Sequence, residues 1–351
     1  LRDLTRDGQF AMFRRVALEL ATMDDRKLAD VVRGAEPLGS GIGGRSATLE
    51  AGGERVFVKR LPLTALELRP ENVHSTRNLF GLPPAYHYRI GSAGLGAWRE
   101  LAVHRMTTRW VLDGAYGGFP LTYHWRILPD TPPTGFADEF GGIDGAVARW
   151  DGSPAVRRRL EGIGRSEHSL VLFLEHVPHT LAAWLAGQRD PAVWARVEQD
   201  VVRGADFMAA HGLVHFDAHF ENILTDGRTV SFADYGLSLS DRFTLTPDER
   251  AFLTAHLGYD RATVATQLLR HPVLDGLHGP DERRAFFDGW AAGVRPPWVP
   301  PQVAAMLDRH VGPVRAINGF YRRQLAEGAS ALYPAADIPP SAGRFTGEGP
   351  A

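Results

Sequence analysis

A chain of 351 residues with 44% apolar and 23% charged residues is long and apolar enough to bury a large core, which removes disorder as the default. Its formal net charge of −2 gives no support for a nucleic-acid partner, whose phosphates would call for a basic surface, and leaves open only a local basic patch. With no cysteine, disulfides, thiolate zinc sites and cysteine nucleophiles are excluded, so any chemistry rests on other groups.

The N-terminus, LRDLTRDGQFAMFRRVALEL, is charged and helically spaced, unlike a signal peptide. No apolar run approaches the roughly 20 residues that span a bilayer, so the expectation is a cytoplasmic protein without a membrane partner. Residues 11–33 alternate apolar and charged positions at helical spacing, and the Gly-rich stretch 39–44 precedes the β-branched run Val56-Phe57-Val58. The pattern predicts helix, strand, turn, strand. Residues 61–96 carry Pro62, Pro70, Pro83 and Pro84 among several aromatics and are too long for an ordinary connection, so they read as an insertion. Trp98–Leu112 has helical periodicity, and the Gly- and Pro-rich stretch 113–145 after it holds short strands near YHWRIL.

The run SLVLFLEHV at 169–177 reads as a buried strand, after which LAAWLAG resumes a helical pattern. Residues 194–210 form an amphipathic helix that should end before His211-Gly212, where glycine can take the left-handed cap conformation. Two short apolar strands, around Leu213-Val214 and Ile223-Leu224, should flank a polar loop. From about Thr246 the chain is largely helical, with Thr246 as N-cap and Pro247 at the first helical position of one helix. The tail after Ala335 is rich in Gly and Pro and should be loosely held.

Chemistry-bearing residues fall along this frame in a definite order. The loop LGSGIGG places Gly39, Gly41 and Gly44 at G-x-G-x-x-G spacing, where absent side chains let backbone N–H groups approach phosphate oxygens. A glycine-rich hairpin turn would serve structure equally well. A dinucleotide fingerprint needs a helix straight after the loop, whereas SATLEAGGERVFVKR reads as strand, turn, strand. The last of these strands ends in Lys59, a cation placed to reach nucleotide phosphates or simply a solvated strand end. A phosphate-binding lysine needs a carboxylate to hold it, and Glu100 on the following helix is the best candidate. Glu67 and Glu71 are nearer in sequence but sit beside Pro70, which disfavours a regular helix there.

Further on, HGLVHFDAHFENILTDGRTVSFADYG holds His215-Phe216-Asp217, Asn222 five positions after the aspartate, and Asp234-Tyr235-Gly236. This segment resembles the catalytic loop H-x-D-x-x-x-x-N and the D-F-G turn of the protein-kinase superfamily, with Tyr235 in place of phenylalanine. The resemblance covers about residues 34–60, 98–112 and 169–270. It implies an α+β bilobal fold, with an antiparallel-sheet N-lobe and a mainly helical C-lobe, and it implies ATP and Mg²⁺ as cofactors. On it, Asp217 is the catalytic base, Lys59 and His219 complete the catalytic set, and Asn222 and Asp234 are the metal ligands. The nucleotide would meet Gly39, Gly41, Gly44, Lys59 and Glu100, and its adenine would meet the backbone of Glu175 and Val177. Residues 1–33 become a helical extension, 34–175 the N-lobe with insertions at 61–96 and 113–165, 176–335 the C-lobe, and 336–351 a loose tail.

The pattern is also broken in places. Phe216 replaces the arginine of many protein kinases, so a positive pocket for an activation-loop phosphate is not expected. His219 stands where protein Ser/Thr kinases place lysine and resembles the aminoglycoside and choline kinase branch, while Glu221 before Asn222 resembles the protein kinases. No A-P-E follows Gly236; GYDRATVATQLL resembles the buried helix that opens with an aspartate, here Asp260. The reading is an ATP-dependent phosphotransferase acting on a hydroxyl, with a protein Ser/Thr acceptor favoured over a small-molecule alcohol. A pseudokinase that binds partners without turnover is the third possibility, and Lys59, Asp217, Asn222 and Asp234 argue against it.

Overall fold

The computed structural model describes residues 6–41, 44–88, 91–270, 274, 276–277, 279–328 and 331–339. The fold is the expected bilobal kinase-like one: an N-terminal antiparallel sheet of five strands, then a mainly helical C-terminal part. Strands β1 (Glu36–Gly41), β2 (Gly44–Ala51), β3 (Glu54–Leu63), β4 (Thr122–Pro129) and β5 (His168–Glu175) lie in the order β1-β2-β3-β5-β4. Central β3 pairs Lys59 with Ser46 on one side and with Leu172 on the other. Ile42 and Gly43 lie outside the described residues.

Strand alternation decides what each face of this sheet meets. Val56, Val58, Val171 and Phe173 point to one face and join Met12, Val16, Leu20 and Leu28 in the main core. Those last four come from α1 (Arg6–Thr22) and α2 (Asp25–Arg33), so the N-terminal helices roof the sheet. The odd-numbered residues of β3 point the other way: Leu61 and Leu63 pack with Leu170, Leu172, Leu174, Ala97, Trp98 and Leu101. Lys59 shares that parity, and so faces α3 (Ala97–Leu112).

The segment between β3 and α3 has two single 3₁₀ turns, at Pro70–Asn72 and Pro84–His87. The segment after α3 supplies edge strand β4 and then the helices α4 (Gly142–Ala148) and α5 (Pro154–Gly164). Phe80, Leu82, Tyr86, Trp150, Val156 and Leu160 form a separate buried cluster that joins the two segments. The aromatics of these stretches are thus mostly packing residues, and no substrate pocket is needed to explain them.

In the C-terminal part, β6 (His179–Thr180) and α6 (Leu181–Leu185) lead to α7 (Pro191–Ala210), which ends where Gly212 takes φ 67°. Short strands then hold two polar loops: β7 (Leu213–Val214) and β8 (Ile223–Thr225) bracket the first, and β9 (Val230–Phe232) and β10 (Leu239–Ser240) the second. Helices α8 (Pro247–Ala255), α9 (Tyr259–Leu268), α10 (Pro280–Ala291) and α11 (Pro301–Glu327) complete the lobe. In the tail expected to be loose, Ile338 is buried and its carbonyl abuts Gly258, where an added Cβ would lie 2.4 Å away. Among the described residues, no helix is long and apolar enough to cross a membrane.

Candidate active site

Lys59 Nζ lies 2.7 Å from Glu100 Oε1 and 2.8 Å from Asp234 Oδ1. Glu100 sits in the first turn of α3, against the sheet face that carries Lys59. Glu67, in the irregular stretch before Pro70, bonds elsewhere. Burial opposes charge on the lysine, but the two carboxylates overcome it and hold its pKa above the ordinary value. Burial likewise pushes the Asp234 carboxyl up, and Lys59 outweighs it, bringing that pKa down to about 2. Asp234 is therefore ionised at neutral pH, and 46% of its side chain stays exposed, opening on the cleft.

The catalytic-loop candidates are held by backbone contacts. Both oxygens of Asp260, at the start of α9, accept backbone N–H groups, from His215 at 2.6 Å and from Phe216 at 2.9 Å. Phe216 takes φ 64° and Asp234 φ 65°, conformations that side-chain-bearing residues adopt at a cost and keep only when neighbours enforce them. His215 Nδ1 takes the N–H of Asp217 at 3.2 Å, which leaves its proton on Nε2, facing the Ala233 carbonyl at 2.9 Å. Burial lowers the pKa of this ring and keeps it neutral. His215 thereby ties the loop that carries Asp217 to the strand that leads into Asp234.

Asn222 Nδ2 donates to Asp217 Oδ2 at 2.9 Å and to the Asp217 carbonyl at 3.1 Å. Its Oδ1 is then the amide atom left to meet a cation. His219 Nδ1 accepts the Glu221 N–H at 3.2 Å, so its Nε2 carries the proton, 3.4 Å from Asp217 Oδ1. Tyr235 is buried, and its hydroxyl donates to the Phe232 carbonyl at 2.6 Å, so the tyrosine that replaces phenylalanine leaves no polar atom stranded.

Two cavities meet at this point. One, of about 570 Å³, is lined by Gly39, Gly44, Lys59, Glu175, Val177, Asn222 and Asp234, and its size suits a nucleotide. The other, of about 140 Å³, is lined by Lys59, Glu100, Asp234 and Asp217 together with Ser92 and Gly94. Lys59 and Asp234 belong to both. Among the glycines, Gly39 faces open space, whereas a Cβ on Gly44 would come within 2.3 Å of the Arg60 carbonyl oxygen. Gly44 thus has a packing reason to be glycine. Gly41 pairs with Gly44 across the hairpin. Asn222 and Asp234 offer hard oxygen atoms on one cavity wall, a donor set that suits Mg²⁺ completed by phosphate oxygens and water.

Three contributors escape motif reading. His104, one turn beyond Glu100, lies 3.8 Å from its carboxylate and packs edge-on against Tyr235; the i,i+4 spacing from Glu100 was the available signal. Glu67 bonds directly to the start of α3, and Arg159, which also lines the smaller cavity, holds Glu67; neither left a local signal.

No family model matches the chain. Part of it resembles cyclin-dependent kinase 4 from Ovis aries, Sus scrofa and Bos taurus, each 38% identical over 88 residues. The match spans 23% of this chain and 29% of each relative's length. It supports a loose relationship to protein kinases over that part.

Proposed function

We propose that this chain is an ATP- and Mg²⁺-dependent phosphotransferase that moves the γ-phosphoryl group of ATP to a hydroxyl. The observation that carries the reading is the meeting of the two cavities, with Asn222 on the wall of the larger, Asp217 on that of the smaller, and Lys59 and Asp234 in both. A nucleotide in the larger cavity would point its phosphates at Lys59, and an acceptor in the smaller one would set its hydroxyl beside Asp217. Mg²⁺, held by Asp234 and Asn222 Oδ1, would spread the charge on the transferred group. Asp217 would accept the hydroxyl proton as the new bond forms, with Asn222 and His219 fixing the direction of its carboxylate. Lys59 and Glu100 would hold the phosphates in place rather than react.

For the acceptor, the partial likeness to cyclin-dependent kinase 4 favours a protein serine or threonine. The small cavity at Asp217 and the helix α8, which stands where protein kinases keep an extended docking segment, favour a compact alcohol. Incubation with [γ-³²P]ATP and Mg²⁺ tests both, reading label on generic protein substrates against label on a panel of small alcohols. Asp217→Asn should cut turnover by about 10²-fold or more while nucleotide affinity stays unchanged. Near-normal turnover in that variant removes Asp217 as the base.

A further inference from the structure

We infer that the two segments departing from the protein-kinase pattern, 61–96 and 113–165, form one built-in positioning device. A buried Glu67–Arg159 pair holds the start of α3, and with it Glu100, against Lys59, so the site assembles without an activating partner or a phosphorylation. The consequence for turnover rests on the phosphotransfer reading; the contact does not.

Gly96, the N-cap of α3, has no side chain and makes no capping bond. The carboxylate of Glu67 takes that role from outside the helix: Oε1 accepts the Ala97 N–H at 2.8 Å. A Cβ on Gly96 would sit 3.1 Å from that same oxygen, so glycine gives the carboxylate room. Oε2 accepts Thr64 N–H at 3.0 Å, Thr64 Oγ1 at 2.7 Å and Arg159 Nη1 at 2.8 Å. The Trp98 indole donates to the Glu67 carbonyl at 2.9 Å. The side chains of Glu67 and Arg159 are 1% and 4% exposed. A carboxylate with donors on both oxygens, buried with an arginine, is costly to disturb from either side. Glu100 follows Ala97 by one helical turn, so a shift at the cap is a shift at Lys59.

The same insertion also grips the chain beyond the D-Y-G turn. His87 Nδ1 lies 2.7 Å from the Leu237 carbonyl oxygen, and Thr244 N–H donates to Thr76 Oγ1 at 2.9 Å. From α3 itself, Arg99 donates to the Thr76 carbonyl at 2.7 Å and to Glu249 of α8 at 2.6 Å. Helix, insertion and post-turn segment are thus bound to one another by neutral and ionic contacts that need no phosphate.

The test compares Glu67→Gln with Glu198→Gln in the full chain. Glu198, on α7, is another buried carboxylate, bonded to Arg309 and His310 and not to the start of α3, and its loss reports a merely structural cost. At a temperature where both variants are folded, amide exchange over residues 97–101 should quicken by about tenfold or more only in Glu67→Gln. Turnover at saturating ATP should fall by about tenfold or more in Glu67→Gln and stay within about twofold in Glu198→Gln. Arg159→Lys, which keeps the charge, should retain more turnover than Arg159→Met, and phosphatase treatment of the wild type should change nothing. Unchanged exchange over 97–101 in Glu67→Gln, equal turnover losses in the two Gln variants, or phosphatase-sensitive activity would overturn the inference. A wild type inactive on every acceptor would instead sink the phosphotransfer reading, and the exchange measurement would still decide whether Glu67 holds α3.

Discussion

Phe216 precedes Asp217 in a left-handed conformation, its ring fully buried 5.2 Å from His87 and 5.6 Å from Phe252. The ring packs against the 61–96 segment through His87 and against α8 through Phe252, so it joins those two stretches by apolar contact. Phe216→Ala should therefore cost about 3–5 kcal/mol of unfolding free energy. Urea denaturation measures it, and a loss below about 1 kcal/mol would mean the ring is not packed as described. The same scale marks what could be read beforehand. Pro70 argued Glu71 and Glu67 out of a regular helix and left Glu100 as the candidate; its Oε1 lies 2.7 Å from Lys59 Nζ. The partner of Glu67 is 92 residues away in sequence, and no local pattern carries such a pairing.

Helix α8 shows both kinds of information within one element. Thr246 Oγ1 accepts the Glu249 N–H at 3.2 Å, and Glu249 Oε2 accepts the Thr246 N–H at 3.0 Å, a reciprocal cap with Pro247 at the first helical position. That start was legible because its chemistry lies within four residues. The other carboxylate oxygen of Glu249 holds Arg99, 150 residues away, and was not legible. Thr246→Ala should cost about 1 kcal/mol in thermal or urea unfolding. The backbone N–H that Glu249 Oε2 accepts survives this substitution, so the Glu249–Arg99 contact should hold and amide exchange in α3 should change little. Strand β4 follows the same rule: YHWRIL reads as strand, but its place at the sheet edge beside β5 depends on residues more than 40 positions later.

Across the molecule, several ionisable groups are buried, among them His87, His215, His256 and Asp260. Burial lowers His87 to about 3 and His256 to about 4, and lowers His215 as well. Their folded pKa values lie below the unfolded 6.5, so the stability they contribute is complete above that pH and is lost as pH falls toward 4. Asp260 acts in the opposite sense: burial raises it to about 7, so its contribution is complete below its unfolded value of 3.8 and is lost as pH rises through 7. Three histidines outweigh one carboxyl in the interval between, and the urea midpoint should fall steadily from pH 6.5 to pH 4.5. A midpoint that holds level or rises over that interval would show that these rings are not kept neutral by the fold.

Gly94, at the end of the insertion, touches the D-Y-G turn backbone to backbone: a Cβ there would stand 2.7 Å from the Gly236 carbonyl oxygen. The loop it belongs to is anchored by Arg159, whose Nε donates to the Gly94 carbonyl at 3.4 Å. A ligand that gains its affinity by prising the Tyr235 ring out of its seat would have to lift this loop and strain α5 along with it. Compounds shaped to the closed cleft, with a group reaching past Lys59 toward Ser92, are the ones this molecule should admit.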